Sequence, residues 1–291
     1  MTRVAAVGEA MIELSMQGET AHVGVAGDTL NTAIYLKRAA PGISVDYVTC
    51  LGDDPFSDRI AKFIGDQGIN TTAIERLVGK SPGLYAITTA DGGERSFTYW
   101  RESSAARRLF EDGTAYRFDN LASYDLIYLS GISVAILPQP ARVALLEWLN
   151  TSPVRLAYDS NYRPRLWENQ KTAKDVTEAF WERADICLPS VDDEMELFDC
   201  SADQVVERFS ASSGALKQGA EGPLSLGSVV EQYYAQASFV VDTTAAGDSF
   251  NGAYLAAILQ GKPQIEALME GHKCAAKVVG HRGAIIPLEQ K

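Results

Sequence analysis

The chain has 291 residues, of which 46% are hydrophobic and 22% charged, and its formal net charge is -12. That length allows one large α/β domain or two modest ones, and the composition excludes extensive disorder. Such an acidic surface disfavours non-specific binding to nucleic acid or anionic membrane, and an anionic substrate would need a local positive site.

Residues 4–8 form a short apolar run ending in glycine, the pattern of a buried strand. Residues 29–39 have helical spacing after Gly27-Asp28, with Asp28 or Thr29 as the expected N-cap. A strand is predicted over 45–50 and a helix over 55–67. Residues 84–89 and 95–101 then alternate around Ala90-Asp91-Gly92-Gly93-Glu94, a β-hairpin signal that breaks the βα rhythm.

The rhythm resumes with strands over 125–130, 155–159 and 185–188, and helices over 139–150, 171–183, 192–198 and 203–211. A strand begins at 215–217 before Gly219–Gly222, and another is expected at 239–241. Helices are expected over 247–259 and 264–280. Strands alternating with helices of this length predict an α/β fold with a mostly parallel central sheet flanked by helices on both faces. Residues 1–291 read as a single domain. Lid strands from about 10–25 and 83–102 would form a small β lid.

Cys50, Cys187, Cys200 and Cys274 form no CxxC pair and read as reduced buried thiols. There is no secretory signal pattern and no run of about 20 apolar residues, so the expected location is cytoplasmic. His22, His272 and His281 read as structural or exposed.

The chemistry concentrates in Asp242-Thr243-Thr244-Ala245-Ala246-Gly247-Asp248-Ser249-Phe250. Small residues at a strand-to-helix turn let phosphate oxygens approach the backbone, and the free N–H groups of the helix start favour an anion. A carboxylate in the first turn can accept the proton of an attacking hydroxyl, although a first-turn aspartate also serves as a plain cap.

The whole segment resembles the C-terminal signature of the PfkB (ribokinase-like) carbohydrate kinases. The resemblance implies that Asp248 is the catalytic base and that the amides of Ala245, Ala246, Gly247 and Asp248 form an anion hole. It also implies that Asp242 and Thr243 support the turn, a region that holds a monovalent cation in some members. Ala26-Gly27-Asp28-Thr29-Leu30-Asn31-Thr32-Ala33 resembles the family's sugar-side glycine motif, with alanine in place of the first glycine, a strained choice if that position needs φ > 0. Lys217-Gln218-Gly219-Ala220-Glu221-Gly222 resembles its K-x-G-x-x-G nucleotide loop, implying that Lys217, Gly219, Gly222 and Gly247 bind ATP. Ser190 stands where the family usually has the asparagine of Asn-x-x-Glu, and Asp193 or Glu194 supplies the acid. Magnesium is expected to be held mainly by the triphosphate.

Alternation puts Arg95, Phe97, Tyr99 and Arg101 on one face, with Tyr85 on the partner strand. Two tyrosines and an arginine suit a polyhydroxylated acid, and Arg163 adds a second basic point after the strand at 155–159. Motifs from Gly8–Leu14 to His281–Pro287 resemble the family's bacterial 2-keto-3-deoxygluconate kinases. That resemblance implies ATP-dependent phosphorylation of the sugar acid at its 6-hydroxyl. Its contacts would be Gly27, Asp28, Asn31, Tyr85, Tyr99, Arg101 and Arg163. A kinase of the same fold acting on fructose, ribose or 2-keto-3-deoxygalactonate is the alternative. A silent ligand sensor fits the retained Asp248 poorly. A dinucleotide oxidoreductase would need a GxGxxG that residues 8–13 lack. The expected assembly is a homodimer formed through the lids.

Overall fold

The computed structural model describes residues 1–89, 95–111, 114 and 117–288. The Ala90–Glu94 turn predicted for the hairpin lies outside the described residues.

The first third of the chain runs β1 (Arg3–Val7), β2 (Met11–Gln17), β3 (Thr20–Ala26), α1 (Asp28–Ala39), β4 (Ser44–Leu51), α2 (Pro55–Asp66), β5 (Ile74–Arg76), β6 (Gly83–Thr89) and β7 (Arg95–Trp100). Next come α3 (Phe118–Leu121), β8 (Leu126–Ser130), α4 (Gly131–Ile136), α5 (Gln139–Thr151), β9 (Arg155–Asp159), α6 (Gln170–Arg183) and β10 (Ile186–Leu188). The last third holds α7 (Val191–Phe198), α8 (Ala202–Arg208), β11 (Gly214–Lys217), β12 (Pro223–Leu226), α9 (Ala246–Leu259) and α10 (Gln264–Val278).

The main sheet has the order β12-β11-β10-β9-β8-β1-β4-β5. Every pairing in it is parallel except β11 with β12. Its central strands are covered on both faces, which is why β1 and β8 read as unbroken apolar runs rather than alternating ones. Two cores result. One contains Tyr158, Phe180, Trp181 and Phe209, and the other Tyr47, Tyr128, Phe250 and Tyr254.

A second sheet, β3-β2-β6-β7, pairs the 11–26 strands with the hairpin. Here β2 and β6 are parallel, while the outer pairs are antiparallel. One face buries Met11, Ala26, Tyr85 and Ile87. The outer strand β7 stays exposed from Ser96 to Trp100.

Helix α9 is apolar or small nearly all round and packs between α1 and α10. Gly252 sets its distance from α1. A Cβ there would lie 2.6 Å from the Thr32 carbonyl and 2.8 Å from the Leu36 nitrogen. This close approach brings the first turn of α9 against Asn31 and Thr32.

Two expectations differ from what is found. Residues 239–241 form no strand. The β12 return occupies that sheet edge, and the segment is tied instead to the end of α10, where Val241 and Asp242 donate to the Val279 carbonyl at 2.7 and 3.1 Å. The cap of α1 is Gly27, without a side-chain cap, not Asp28 or Thr29. Asp28 directs its carboxylate to Ser130 and Asn161.

Candidate active site

Asp28, Asn31, Lys217, Gly247 and Asp248 gather where α9 begins, beside the carboxyl ends of β1, β8, β9 and β11, the edge at which open α/β sheets bind ligands. Asp248 sits in the first turn of α9 and is partly exposed. Asn31 Nδ2 donates to its Oδ2 at 2.8 Å, and Thr32 Oγ1 donates to its backbone carbonyl at 3.1 Å. Burial, reinforced by the charges of Asp28 and Asp159, pushes the Asp248 carboxyl up to about 8 against the opposing Asn31 hydrogen bond and Lys217 charge. Burial also raises Asp28, held by Ser130 and by Asn161 Nδ2 at 2.8 Å. The two neighbouring acids therefore resist being ionised together.

The turn before α9 is built on Ala245, whose φ of 59° and ψ of 19° are left-handed. The strain expected at Ala26 is absent, because Ala26 lies in β3 and has no positive φ. Gly27 is required for a different reason. A Cβ there would meet the Glu9 carbonyl at 2.2 Å. Ala246 N donates to the Thr243 carbonyl at 3.2 Å. The amides of Gly247 and Asp248 belong to the first helical turn, which has no carbonyl four residues back within the helix.

Lys217 ends β11, and its ammonium donates to Asp159 Oδ1 at 2.6 Å. It would lie 3.7 Å from a Cβ on Gly247, so it runs alongside the Ala245–Asp248 turn. Gly219 and Gly222 have φ of 58° and 89°, and the Tyr234 ring packs where a Gly222 Cβ would stand. The K-x-G-x-x-G spacing thus reflects backbone geometry that other residues adopt poorly.

On the second sheet, Tyr85 pairs in register with Tyr99, their ring centroids 5.6 Å apart, and Glu13 lies opposite Tyr85. The Tyr85 hydroxyl donates to the Glu13 carboxylate. Burial and that charge hold the phenol far above its usual range. Tyr99 is 47% exposed. Arg101 is buried, its Nη2 is ion-paired with Glu9, and its Nε has no hydrogen-bond partner. Arg163 is the more open cation, with its side chain 54% exposed and Nη1 3.4 Å from Asp193 Oδ1.

Ser190 and its neighbours divide two adjacent acids. Ser160 Oγ donates to Asp193 Oδ2 at 3.3 Å and accepts from the Ser190 amide at 2.8 Å, so Asp193 faces Arg163 and the site. Glu194 points into the core against Trp181 Nε1 at 3.2 Å, and burial pushes it up to about 8.

Sequence reasoning omitted Glu9, Glu13, Ser130, Asp159 and Asn161 from the site. Four of them lie at or just beyond the carboxyl ends of β1, β8 and β9, a positional signal that was there to be read. Glu13 could be found only from its cross-strand register.

A mostly parallel sheet flanked by helices, with a carboxylate and an ammonium converging on a small-residue helix start, defines a phosphotransferase acting on small molecules. The chain belongs to the pfkB family of carbohydrate kinases, whose model matches residues 1–291. It is 40% identical to the 2-dehydro-3-deoxygluconokinase of Dickeya dadantii, over 98% of this chain and 97% of that one. A solved 2-dehydro-3-deoxygluconokinase from Thermotoga maritima superposes with a TM-score of 0.83 at 22% identity, covering 99% of this chain and 97% of that one. A fructokinase of Xylella fastidiosa, solved with bound ATP, gives 0.81 at 21% identity, covering 97% and 93%. Among the described residues, no helix is long and apolar enough to cross a membrane.

Proposed function

We propose that this kinase transfers the γ-phosphoryl group of ATP to the 6-hydroxyl of 2-keto-3-deoxygluconate, the 2-dehydro-3-deoxygluconate of its relatives' names. The observation that carries the chemistry is the Asp248 carboxylate, fixed by Asn31 at the start of α9 with the Lys217 ammonium beside the same turn. Asp248 takes the proton of the 6-hydroxyl as its oxygen bonds to phosphorus. The bond to the β-phosphate oxygen breaks, and ADP leaves with that electron pair. The amides of the Ala245–Asp248 turn and Lys217 receive the charge that develops on the transferred group. Gly219 and Gly222 let the nucleotide approach the backbone.

The sugar acid lies between α1 and the second sheet, which acts as the lid of a single domain. Gly27, Asp28 and Asn31 meet its hydroxyl end. Tyr85, oriented by Glu13, and Tyr99 meet the middle. The free Nε of Arg101 and the open guanidinium of Arg163 hold the carboxylate. Magnesium, held mainly by the triphosphate, would neutralise phosphate charge, with Asp193 available to its water shell. A monovalent cation near Asp242 is the remaining expectation; the Asp242 carboxylate accepts from the Thr244 and Gly283 amides at 3.0 and 2.8 Å and from the Thr244 hydroxyl at 2.7 Å. The exposed β7 edge favours a homodimer through the lids, and the relatives' metabolic role favours a cytoplasmic location.

The Glu9–Arg101 pair supports a second reading, a kinase of the same fold for a neutral sugar such as fructose, because Glu9 already offsets one arginine charge. ADP release measured over 2-keto-3-deoxygluconate, 2-keto-3-deoxygalactonate, fructose and ribose separates the two. Asp248→Asn should lose about 10²- to 10⁴-fold in rate. Retention of most of the wild-type rate would refute Asp248 as the base.

A further inference from the structure

Asp159 has no role in the reaction described so far, yet it stands at the centre of the buried polar network. It ends β9 and is almost fully buried. One oxygen accepts from the Lys217 ammonium at 2.6 Å. The other accepts from Asn251 Nδ2 at 2.9 Å and from the Tyr128 hydroxyl at 3.3 Å. Asn251 Nδ2 also donates to that hydroxyl at 3.1 Å, and Thr32 Oγ1 on α1 lies 3.2 Å from it and 3.1 Å from the Asp248 carbonyl. One carboxylate thus links β11, β8, β9, α9 and α1, the elements that meet around the candidate base.

We infer that Asp159 is a positioning residue for phosphoryl transfer, holding the Lys217 ammonium against the Ala245–Asp248 turn and setting the charge balance around Asp248. This rests on the proposed assignment of Asp248 as base. Lysine has a flexible four-carbon stem and three rotatable donors, so it needs an anchor to stay aligned with the Ala245–Asp248 turn. Asp159 supplies that anchor from a strand end whose neighbours fix its rotamer.

The charges facing Asp248 are those of Asp28 on α1, Asp159 on β9 and Lys217 on β11, with the phenols of Tyr128 and Tyr85 nearby. The charges of Asp193 on α7 and Lys217 also act on each other. Asp159 and Lys217 act on Asp248 with opposite signs. Removing each in turn therefore moves the acid limb of the pH–rate profile in opposite directions. A purely structural role would lower the rate without moving it.

The test is the pH dependence of kcat/KM for the acceptor in full-length wild type, Asp159→Asn and Lys217→Met, with melting curves as a folding control. Asp159→Asn should move the acid limb to lower pH by roughly one unit, and raise KM for ATP as Lys217 loses its anchor. Lys217→Met should move the limb to higher pH. An unmoved limb in Asp159→Asn, or one moved upward, overturns the inference. If Asp159→Asn does not fold, Lys217→Met decides alone, and a limb that fails to rise overturns it. Persistence of the limb in Asp248→Asn would instead refute the base assignment, which keeps the two failures apart.

Discussion

Replacing Ala245 with glycine should stabilise the protein. At φ 59° the alanine Cβ is held in the left-handed region, which costs an L-residue roughly 1–2 kcal/mol. Glycine removes that cost but gives the unfolded chain more freedom, which returns roughly 0.4–1 kcal/mol. Ala245 is also the N-cap of α9 and makes no side-chain cap. Glycine is the better residue at that position by a further few tenths of a kcal/mol. The contributions sum to about 1 kcal/mol in favour of Ala245→Gly, or about 2 °C in melting temperature for a chain of this size. Differential scanning fluorimetry without ligands measures it, and the catalytic rate should stay near wild type because the backbone path is unchanged. Ala245→Val is the control and should destabilise, since a β-branched residue tolerates this conformation worst. A lower melting temperature for Ala245→Gly would refute the reasoning, because it would mean that the left-handed turn carries no strain.

Two further outcomes follow from buried charges. Arg142, almost fully buried, donates to the carbonyls of Val134, Ala135 and Leu137 and reaches both Glu168 oxygens at 2.9 and 3.0 Å, fastening the loop that carries Asn161 and Arg163. Glu168→Gln should loosen that loop and raise the acceptor KM several-fold, a cost of about 1 kcal/mol after allowing for the half-exposed carboxylate, with KM for ATP unchanged. Equal effects on both KM values would contradict the positioning. Glu194 is raised to about 8 by burial, so it contributes stability that is fully present below its unfolded pKa and is lost as pH rises through about 8. Glu194→Gln, which keeps an acceptor for Trp181, should therefore melt higher than wild type above pH 8 and gain little at pH 5. A pH-independent difference would exclude ionisation of Glu194 as the cause.

How far the sequence could be read depended on whether a feature was local. Residues 242–250 are contiguous, and the turn and the helix start each leave their own mark, so the turn that opens α9 was legible. The hairpin was legible because its alternation breaks the helical rhythm. The segment 239–241 misled because apolar composition does not say whether a sheet edge is free to pair with it. β5, β12 and α4 are three to six residues long, too short to carry a period. Asp193 and Glu194 were indistinguishable as neighbours, and only the rotation of α7 turns one to the site and the other to Trp181.

The charge problem set by composition has a specific answer in the fold. Each cation of the site is matched to a carboxylate: Lys217 to Asp159, Arg101 to Glu9 and Arg163 to Asp193. The pairs fix the cations before any ligand arrives, but they also remove the surplus positive charge that an anionic acceptor would seek. Asp28 and Asp248 add two more acids, so the site stays net negative even with one proton shared between them. An unaided sugar acid would thus be met by geometry rather than by attraction. Under the proposed assignment, recognition then depends on the donors that the pairs leave free, such as Arg101 Nε and the outer edge of Arg163. Donors of fixed direction discriminate by shape as well as by charge. A neutral sugar presents no carboxylate to use them, and a kinase built this way selects the acid through hydrogen-bond geometry that an isolated arginine would not impose.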